Sequence, residues 1–260
     1  MENAPPDTNY LDHPTTAGSL GEGVIDSIVE ALEVGCSSGR SFHRLANWAD
    51  ETIGNARIAL GKLFDSPADG VVFCSGSTHA LNLAIKGLLK PGDHAISTCF
   101  DHNSVLRPLK RLESYGIRTS IVNPRNQETF LQTIDREIRP ETKLIVLPHA
   151  SNVTGEILPV ESIGKHARAR GIKVLIDAAQ TVGYVPFTLK SLEADMVAIG
   201  GHKGLRGPPG IGCLLLSDPA LPIEPLIDGG TGYDSDSLSP RPQIPWTLEA
   251  GTQNIPCLLY

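Results

Sequence analysis

Apolar residues in the first quarter of the chain recur at helical spacing. Val24, Ile25, Ile28 and Leu32 mark one helix, and Leu45, Ala49, Ile53, Ala56, Leu60 and Leu63 mark a longer one between about Phe42 and Phe64. From Val71 onward the pattern changes. Short stretches, several of them apolar runs, at 71–73, 95–98, 118–122, 143–147 and 174–176, a run ending at Gly200, and another at 212–216 read as strands. The stretches 79–89, 105–116 and 129–138 between them keep helical spacing. Uninterrupted apolar strands are those buried on both faces, and strands alternating with helices form right-handed βα units. The pattern therefore predicts an α/β fold, a three-layer α/β/α domain around a mostly parallel sheet, with residues 1–20 as an irregular arm and 21–260 as one large domain.

Chemistry gathers where strands end. The run 174–176 delivers Asp177 into the small-residue turn Ala178-Ala179-Gln180, and the run ending at Gly200-Gly201 delivers His202 and Lys203 into a Gly/Pro-rich loop. Open α/β sheets bind ligands at this carboxyl edge. A lysine that can form a Schiff base and a carboxylate that can keep a ring nitrogen protonated are what pyridoxal phosphate requires. A partly desolvated lysine beside protonated His202 would lose its proton more readily. Taken alone, the two residues would serve equally as a cap and a surface charge. Two further sites lie at strand ends. Ser75-Gly76-Ser77-Thr78 opens a helix, and a helix N-terminus with free N–H groups and hydroxyls suits an anion, although an ordinary N-cap looks the same. His102 follows the strand 95–98, at the same edge as Asp177.

The strings SNVTGEILPV, IDAAQTVG and GHKGLRGPPGIG, in that order, resemble the aminotransferase class V group of pyridoxal phosphate enzymes, most closely its cysteine desulfurase and selenocysteine lyase branch. YLDHPTTAG, FCSGSTHALNLAIKGLLKPGDH, DHNSVLRPLKRLE and EAGTQNIP extend the resemblance over almost the whole chain. It implies the large domain of fold-type I enzymes, with pyridoxal 5'-phosphate on Lys203, its ring nitrogen on Asp177 and His102 lying over the ring. Asn152 and Gln180 match residues that hydrogen-bond the phenolic oxygen. Ser77, Thr78 and His202 match the phosphate site, and Thr252 matches a residue that reaches the phosphate of a neighbouring subunit, which implies a homodimer. Three positions depart from the group: His13-Pro14 replaces Asn-Ala, His79 stands where relatives carry Glu, and Gly200 where many carry Ser.

The implied reaction is desulfuration of L-cysteine to alanine, with sulfur passed to an acceptor protein. A class V aminotransferase or β-lyase acting on another amino acid is the second reading, and a non-catalytic pyridoxal-phosphate-binding chain the third. The smaller C-terminal domain of relatives, which carries the carboxylate-gripping arginine and the nucleophilic cysteine, has no counterpart in the 260 residues, so impaired turnover is expected.

Composition narrows the setting. A net charge of -7 with mixed signs excludes a nucleic-acid surface and leaves small acidic or zwitterionic substrates. The five cysteines are irregularly spaced and read as core thiols in a reducing compartment rather than as disulfides or a metal site. The N-terminus has no apolar run long enough for a signal or a membrane span, so a cytoplasmic protein is expected. Trp48 and His43 read as structural, and 233–245 as a mobile loop.

Overall fold

A computed structural model describes residues 10–35, 38–39, 41, 43–230, 238 and 242–259. Two helices come first, α1 (Val24–Val34) and α2 (Arg44–Phe64). His43 caps α2: its Nδ1 accepts the Ala46 N–H at 3.2 Å, which fits the structural role expected of it. Phe42, where this helix was expected to begin, lies outside the described residues, as do Cys36 and most of the 233–245 loop.

Strands and helices then alternate: β1 (Val71–Cys74), α3 (Ser77–Leu88), β2 (His94–Thr98), α4 (Asn103–Leu112), β3 (Arg118–Val122), α5 (Gln127–Glu137), β4 (Thr142–Pro148), α6 (Val160–Arg168) and β5 (Lys173–Asp177). β6 (Met196–Gly200), β7 (Gly212–Leu216) and the short α7 (Ile255–Leu258) complete the order. The seven strands form one sheet in the order β1-β7-β6-β5-β4-β2-β3. β2 to β6 run parallel, and β7 is antiparallel to both β6 and β1. The reversal follows from the connection. Residues 201–211 join β6 to β7 without a helix, and a parallel return needs a crossover of about a dozen residues or more, usually helical.

Alternation along each strand divides the core in two. Val71, Phe73, Ile145, Leu147, Val174 and Ile176 face one side, packed with α2, α5 and α6 through Ile53, Phe130, Ile134 and Ile163. Val72, Cys74, Leu144, Val146, Leu175 and Leu214 face the other, packed with α3 and α4 through Leu81, Ile85, Val105 and Leu109. These are the three layers expected. α6 was not anticipated. Its Val160, Ile163, Gly164 and Ala167 form the buried stripe, and Gly164 is needed there because a Cβ would lie 2.5 Å from the Glu193 carbonyl oxygen.

The apolar stripe of α1 turns the other way. Val24 and Ala31 are buried, whereas Ile25, Val29 and Leu32 are exposed. On α2, Ala49 and Ile53 point inward as expected, but Leu45 and Leu63 do not. Both helices thus leave apolar side chains open, and Leu63 of α2 lines a groove of about 640 Å³ with Trp48, Leu60, Leu205 and Cys257.

β1 is an edge strand with a substitute partner. The Phe73 N–H donates to Glu249 Oε1 at 2.5 Å, and Glu249 also accepts from Gln253 Nε2 at 2.9 Å. Arg57 of α2 forms a two-pronged pair with the same buried carboxylate and stacks over the Phe73 ring, 4.5 Å from its centroid. Removing one partner of a buried pair strands the other charge. Glu249→Ala is therefore expected to lose about 3–5 kcal/mol of unfolding free energy. Glu249→Gln, which keeps the acceptor for Phe73, should lose clearly less. Urea titrations of the three proteins check this, and equal losses for the two variants would refute it.

Candidate active site

The register of the sheet brings the chemistry to one edge. Asp177, the last residue of β5, pairs with Pro148 on β4 and with Ala198 on β6. Its side chain is buried, and Oδ1 accepts the Ala179 N–H at 3.0 Å. Burial raises its pKa, while that hydrogen bond and the charges of Lys203 and His102 oppose the rise. Asp177, Lys203 and His102 therefore share one electrostatic neighbourhood.

Lys203 is half-buried. Burial pulls its pKa down, and Asp177 pulls it back up. The expected help from a protonated His202 is not found: burial and Lys203 itself lower the His202 pKa, so that ring is the neutral partner. Desolvation, not a neighbouring cation, brings the amine toward its nucleophilic form.

The lysine loop is held by backbone contact. A Cβ on Gly204 would lie 2.0 Å from the Val182 carbonyl oxygen, and one on Gly183, at φ +79°, would lie 2.3 Å from the Gly204 carbonyl group. No residue with a side chain fits either place. The Arg206 N–H closes a turn onto the Lys203 carbonyl at 2.8 Å. The N-terminal arm braces the loop from outside. The Ala17 N–H donates to the His202 carbonyl and the Gly21 N–H to the Arg206 carbonyl, each at 2.8 Å, and Arg206 Nη2 donates to Ser19 Oγ at 2.8 Å.

Gly76, at φ +145°, links β1 to the first turn of α3 and packs so closely on Gly212 that a Cβ there would lie 2.7 Å from its Cα. Ser77, Thr78, His79 and His202 line a cavity of about 510 Å³ at this helix start. A Cβ built at Gly200 would sit 3.5 Å from the His202 ring and 3.6 Å from Ser77 Oγ, ordinary contact distances. The space of a small side chain is therefore open beside two polar groups. Helix N–H groups, hydroxyls and an imidazole suit a phosphate, and a buried carboxylate beside a desolvated amine suits a pyridine ring with an aldehyde. The donor set fits pyridoxal phosphate.

The remaining expected residues differ in exposure and contacts. His102 is exposed at the start of α4, where Nδ1 accepts the Ser104 N–H at 3.2 Å and pairs with Ser104 Oγ at 2.8 Å. Because a backbone N–H can only donate, the neutral ring carries its proton on Nε2. Asn152 is exposed in the turn after β4, and Gln180 is half-buried three residues past Asp177. Among the described residues no hydrogen bond joins either to Asp177 or Lys203. Thr252 is exposed and lines a separate cavity of about 410 Å³ with His79 and Glu249, so it does not join Ser77 and Thr78.

Sequence reasoning passed over Asp101, a fully buried acid just before His102, and the Arg57–Glu249 pair. An acid directly preceding a strand-end histidine was the available signal for the first. The cysteines need one correction. Cys74 and Cys213 are buried core thiols as expected and Cys257 is half-buried, but Cys99 is exposed at the end of β2. Among the described residues no His/Cys/Asp/Glu group could hold a metal, and no helix is long and apolar enough to cross a membrane.

Residues 9–259 match the family profile described as aminotransferase class-V. The chain belongs to this family. It is 34% identical over 231 residues to the cysteine desulfurase IscS of Serratia proteamaculans, covering 85% of this chain and 56% of that protein. A probable cysteine desulfurase of Pyrococcus abyssi is also 34% identical, over 224 residues, with 83% and 56% covered. The chain thus spans little more than half the length of these curated relatives. Among solved structures, an apo cysteine desulfurase of Thermococcus onnurineus superposes with a TM-score of 0.86 at 29% identity over 96% of this chain and 64% of the other. A structure described as SspA in complex with cysteine gives 0.85 at 28% identity over 97% and 70%.

The glycine contacts yield a test. Gly204→Ala should push Lys203 away from Asp177, and strain of this kind costs about 1–3 kcal/mol. Lower thermal stability is expected, together with a Lys203 that reacts with an aldehyde reagent near neutral pH no faster than the exposed lysines. A variant with unchanged stability and Lys203 reactivity would show that the loop is not held by this contact.

Proposed function

We propose that this chain holds pyridoxal phosphate on Lys203 and serves cysteine desulfurase chemistry, cleaving the C–S bond of L-cysteine to give alanine and handing the sulfur to an acceptor protein. The convergence of Asp177, Lys203 and His102 at one sheet edge, beside an anion-suited helix start, carries the reading. The names of the relatives favour cysteine over another amino acid as substrate.

When bound, the cofactor supplies an aldehyde for covalent attachment and a ring that accepts electrons. The rest belongs to the chain. Ser77, Thr78 and His202 are assigned to the phosphate, Asn152 and Gln180 to uncharged hydrogen bonds with the phenolic oxygen. Asp177 supplies the buried negative charge that keeps a ring nitrogen protonated. Lys203, drawn toward its neutral form by burial, is the attacking amine and then the base that takes a proton from the substrate Cα. His102 exchanges a proton at Nε2, since Nδ1 is engaged by Ser104.

Three of the four described thiols are disfavoured as sulfur acceptors, and slow cysteine turnover by these residues alone is part of the proposal. Cys74, Cys213 and Cys257 all have raised pKa values, burial being the main cause. A homodimer is also proposed. The exposed stripe of α1 and the exposed Thr252, set apart from Ser77 and Thr78, both suit a second copy that shares the sites. Four free cysteines among the described residues suit a reducing, cytoplasmic setting.

Borohydride reduction of the protein with pyridoxal phosphate should fix an adduct that mass spectrometry maps to Lys203, and Lys203→Ala should abolish it without loss of fold. An adduct on another lysine would overturn the assignment. Gly200→Ser, for which there is room, should tighten inorganic phosphate binding about threefold to tenfold, the value of one added hydrogen bond. No change in affinity would count against this cavity as the phosphate site. Sedimentation should give a dimer, and a monomer with full cofactor affinity would contradict that part.

A further inference from the structure

Two buried acids stand at this sheet edge, and only one has cations to answer it. Asp177 feels Lys203 and His102. Asp101 is buried and feels Asp177, a like charge, while no lysine, arginine or histidine hydrogen-bonds to it among the described residues. Its two oxygens are also unequal. Oδ2 accepts from Ser97 Oγ at 2.9 Å, from the Thr98 N–H at 2.7 Å and from Thr98 Oγ1 at 2.9 Å. Oδ1 is buried and, among the described residues, has no hydrogen-bond partner. The contacts on Oδ2 fold the end of β2 into a turn, closed by the Asp101 N–H on the Thr98 carbonyl at 3.2 Å, and the next residue is His102.

We propose that Asp101 is a positioning residue of this site: it clamps the turn that carries His102, and below neutrality it holds a proton on Oδ1, so that of the two acids Asp177 is then the one left to bear a negative charge. Three donors on Oδ2 leave Oδ1 as the only oxygen with room for the proton. An ionised carboxylate with one oxygen buried and unsolvated is the costlier state. Burial, with repulsion from Asp177, accordingly moves its pKa up to about 7 against the pull of the Ser97 and Thr98 hydrogen bonds. The groups that face it are Ser97 and Thr98 of β2, Asp177 of β5 and the adjacent His102, with Lys203 acting through Asp177.

The role at the cofactor rests on the reading that pyridoxal phosphate occupies this site, but the proton does not. Above neutrality Asp101 ionises and places a second negative charge near Asp177, which favours the protonated form of any nitrogen titrating there. Asp101→Asn keeps an acceptor for Ser97 and Thr98 and removes this titration.

Infrared difference spectra of the cofactor-free protein are expected to show one protonated carboxyl in the wild type that is missing in Asp101→Asn and disappears as pH rises through about 7. Its absence just below neutrality would overturn the proposal. With pyridoxal phosphate bound, the protonation midpoint of the Lys203 adduct, read by absorbance, should fall in Asp101→Asn by about half a pH unit or more. A purely structural role would change stability but not this midpoint, so equal midpoints in two folded proteins would refute the positioning role. If neither protein forms the adduct, the cofactor reading fails while the infrared result still decides where the proton is. Should Asp101→Asn fail to fold, carbon-13 spectra of aspartate-labelled Asp177→Asn protein decide instead. A carboxyl titrating near neutrality supports the proposal, and carboxyls that all titrate in the ordinary aspartate range overturn it.

Discussion

The contact between Gly204 and the Val182–Gly183 turn is the constraint on which the site depends. β5 and β6 are neighbours in the sheet, so their ends are already close, but a strand end fixes only its own last residues. Lys203 lies three residues beyond β6, and a free loop could carry it anywhere over the edge. Backbone packed directly on backbone, with no side chain between, removes that freedom. The segment after Asp177 and the segment after Lys203 then move as one body, and the bond from Ala17 to the His202 carbonyl ties the N-terminal arm to it. Catalytic groups gain from such fixed placement, since about 1 Å of displacement can cost around a hundredfold in rate.

Burial then sets the chemistry, and it acts oppositely on the two partners. Desolvation disfavours charge, so it lifts the Asp177 pKa and lowers that of Lys203, while attraction between them resists both shifts. Each shift is thereby partly cancelled. An added positive charge, such as a protonated ring nitrogen, would tip Asp177 firmly to its ionised form and leave Lys203 free to deprotonate. This is why it matters that, among the described residues, no lysine, arginine or histidine hydrogen-bonds to Asp101. A second ionised acid would hold the Lys203 proton in place and oppose the reactive state.

The sequence made the layered fold legible because buried strands declare themselves as apolar runs: 212–216 was read with the bounds the structure has. α6 was hidden because its inward face is built partly from Gly164 and Ala167, which carry little apolar signal. The reversal of β7 was hidden because direction is a property of the connection, not of the strand. At the site, Asp177, Lys203, Ser77 and Thr78 were legible from position at strand ends and from the family strings. Asp101 was not, since a short acid before a helix looks like a cap. Only the burial of its side chain, and the lack of a partner on Oδ1, separate it from one.

The free edge of the sheet shows how far the site reaches. β1 has a neighbour on one side only, yet it must present Gly76 and the first turn of α3 at a fixed place. Glu249 takes the Phe73 N–H that a further strand would have taken, and Arg57 holds that carboxylate against the strand. A carboxylate can do this at an edge because it accepts several hydrogen bonds at once. The same side chain takes the Gln253 amide, one residue beyond Thr252. One buried ion pair therefore sets both the strand that leads to the anion-suited cavity and the segment that presents Thr252. If a second copy does occupy the exposed face, the position of Thr252 toward it is decided by the same bonds that hold Ser77 and Thr78.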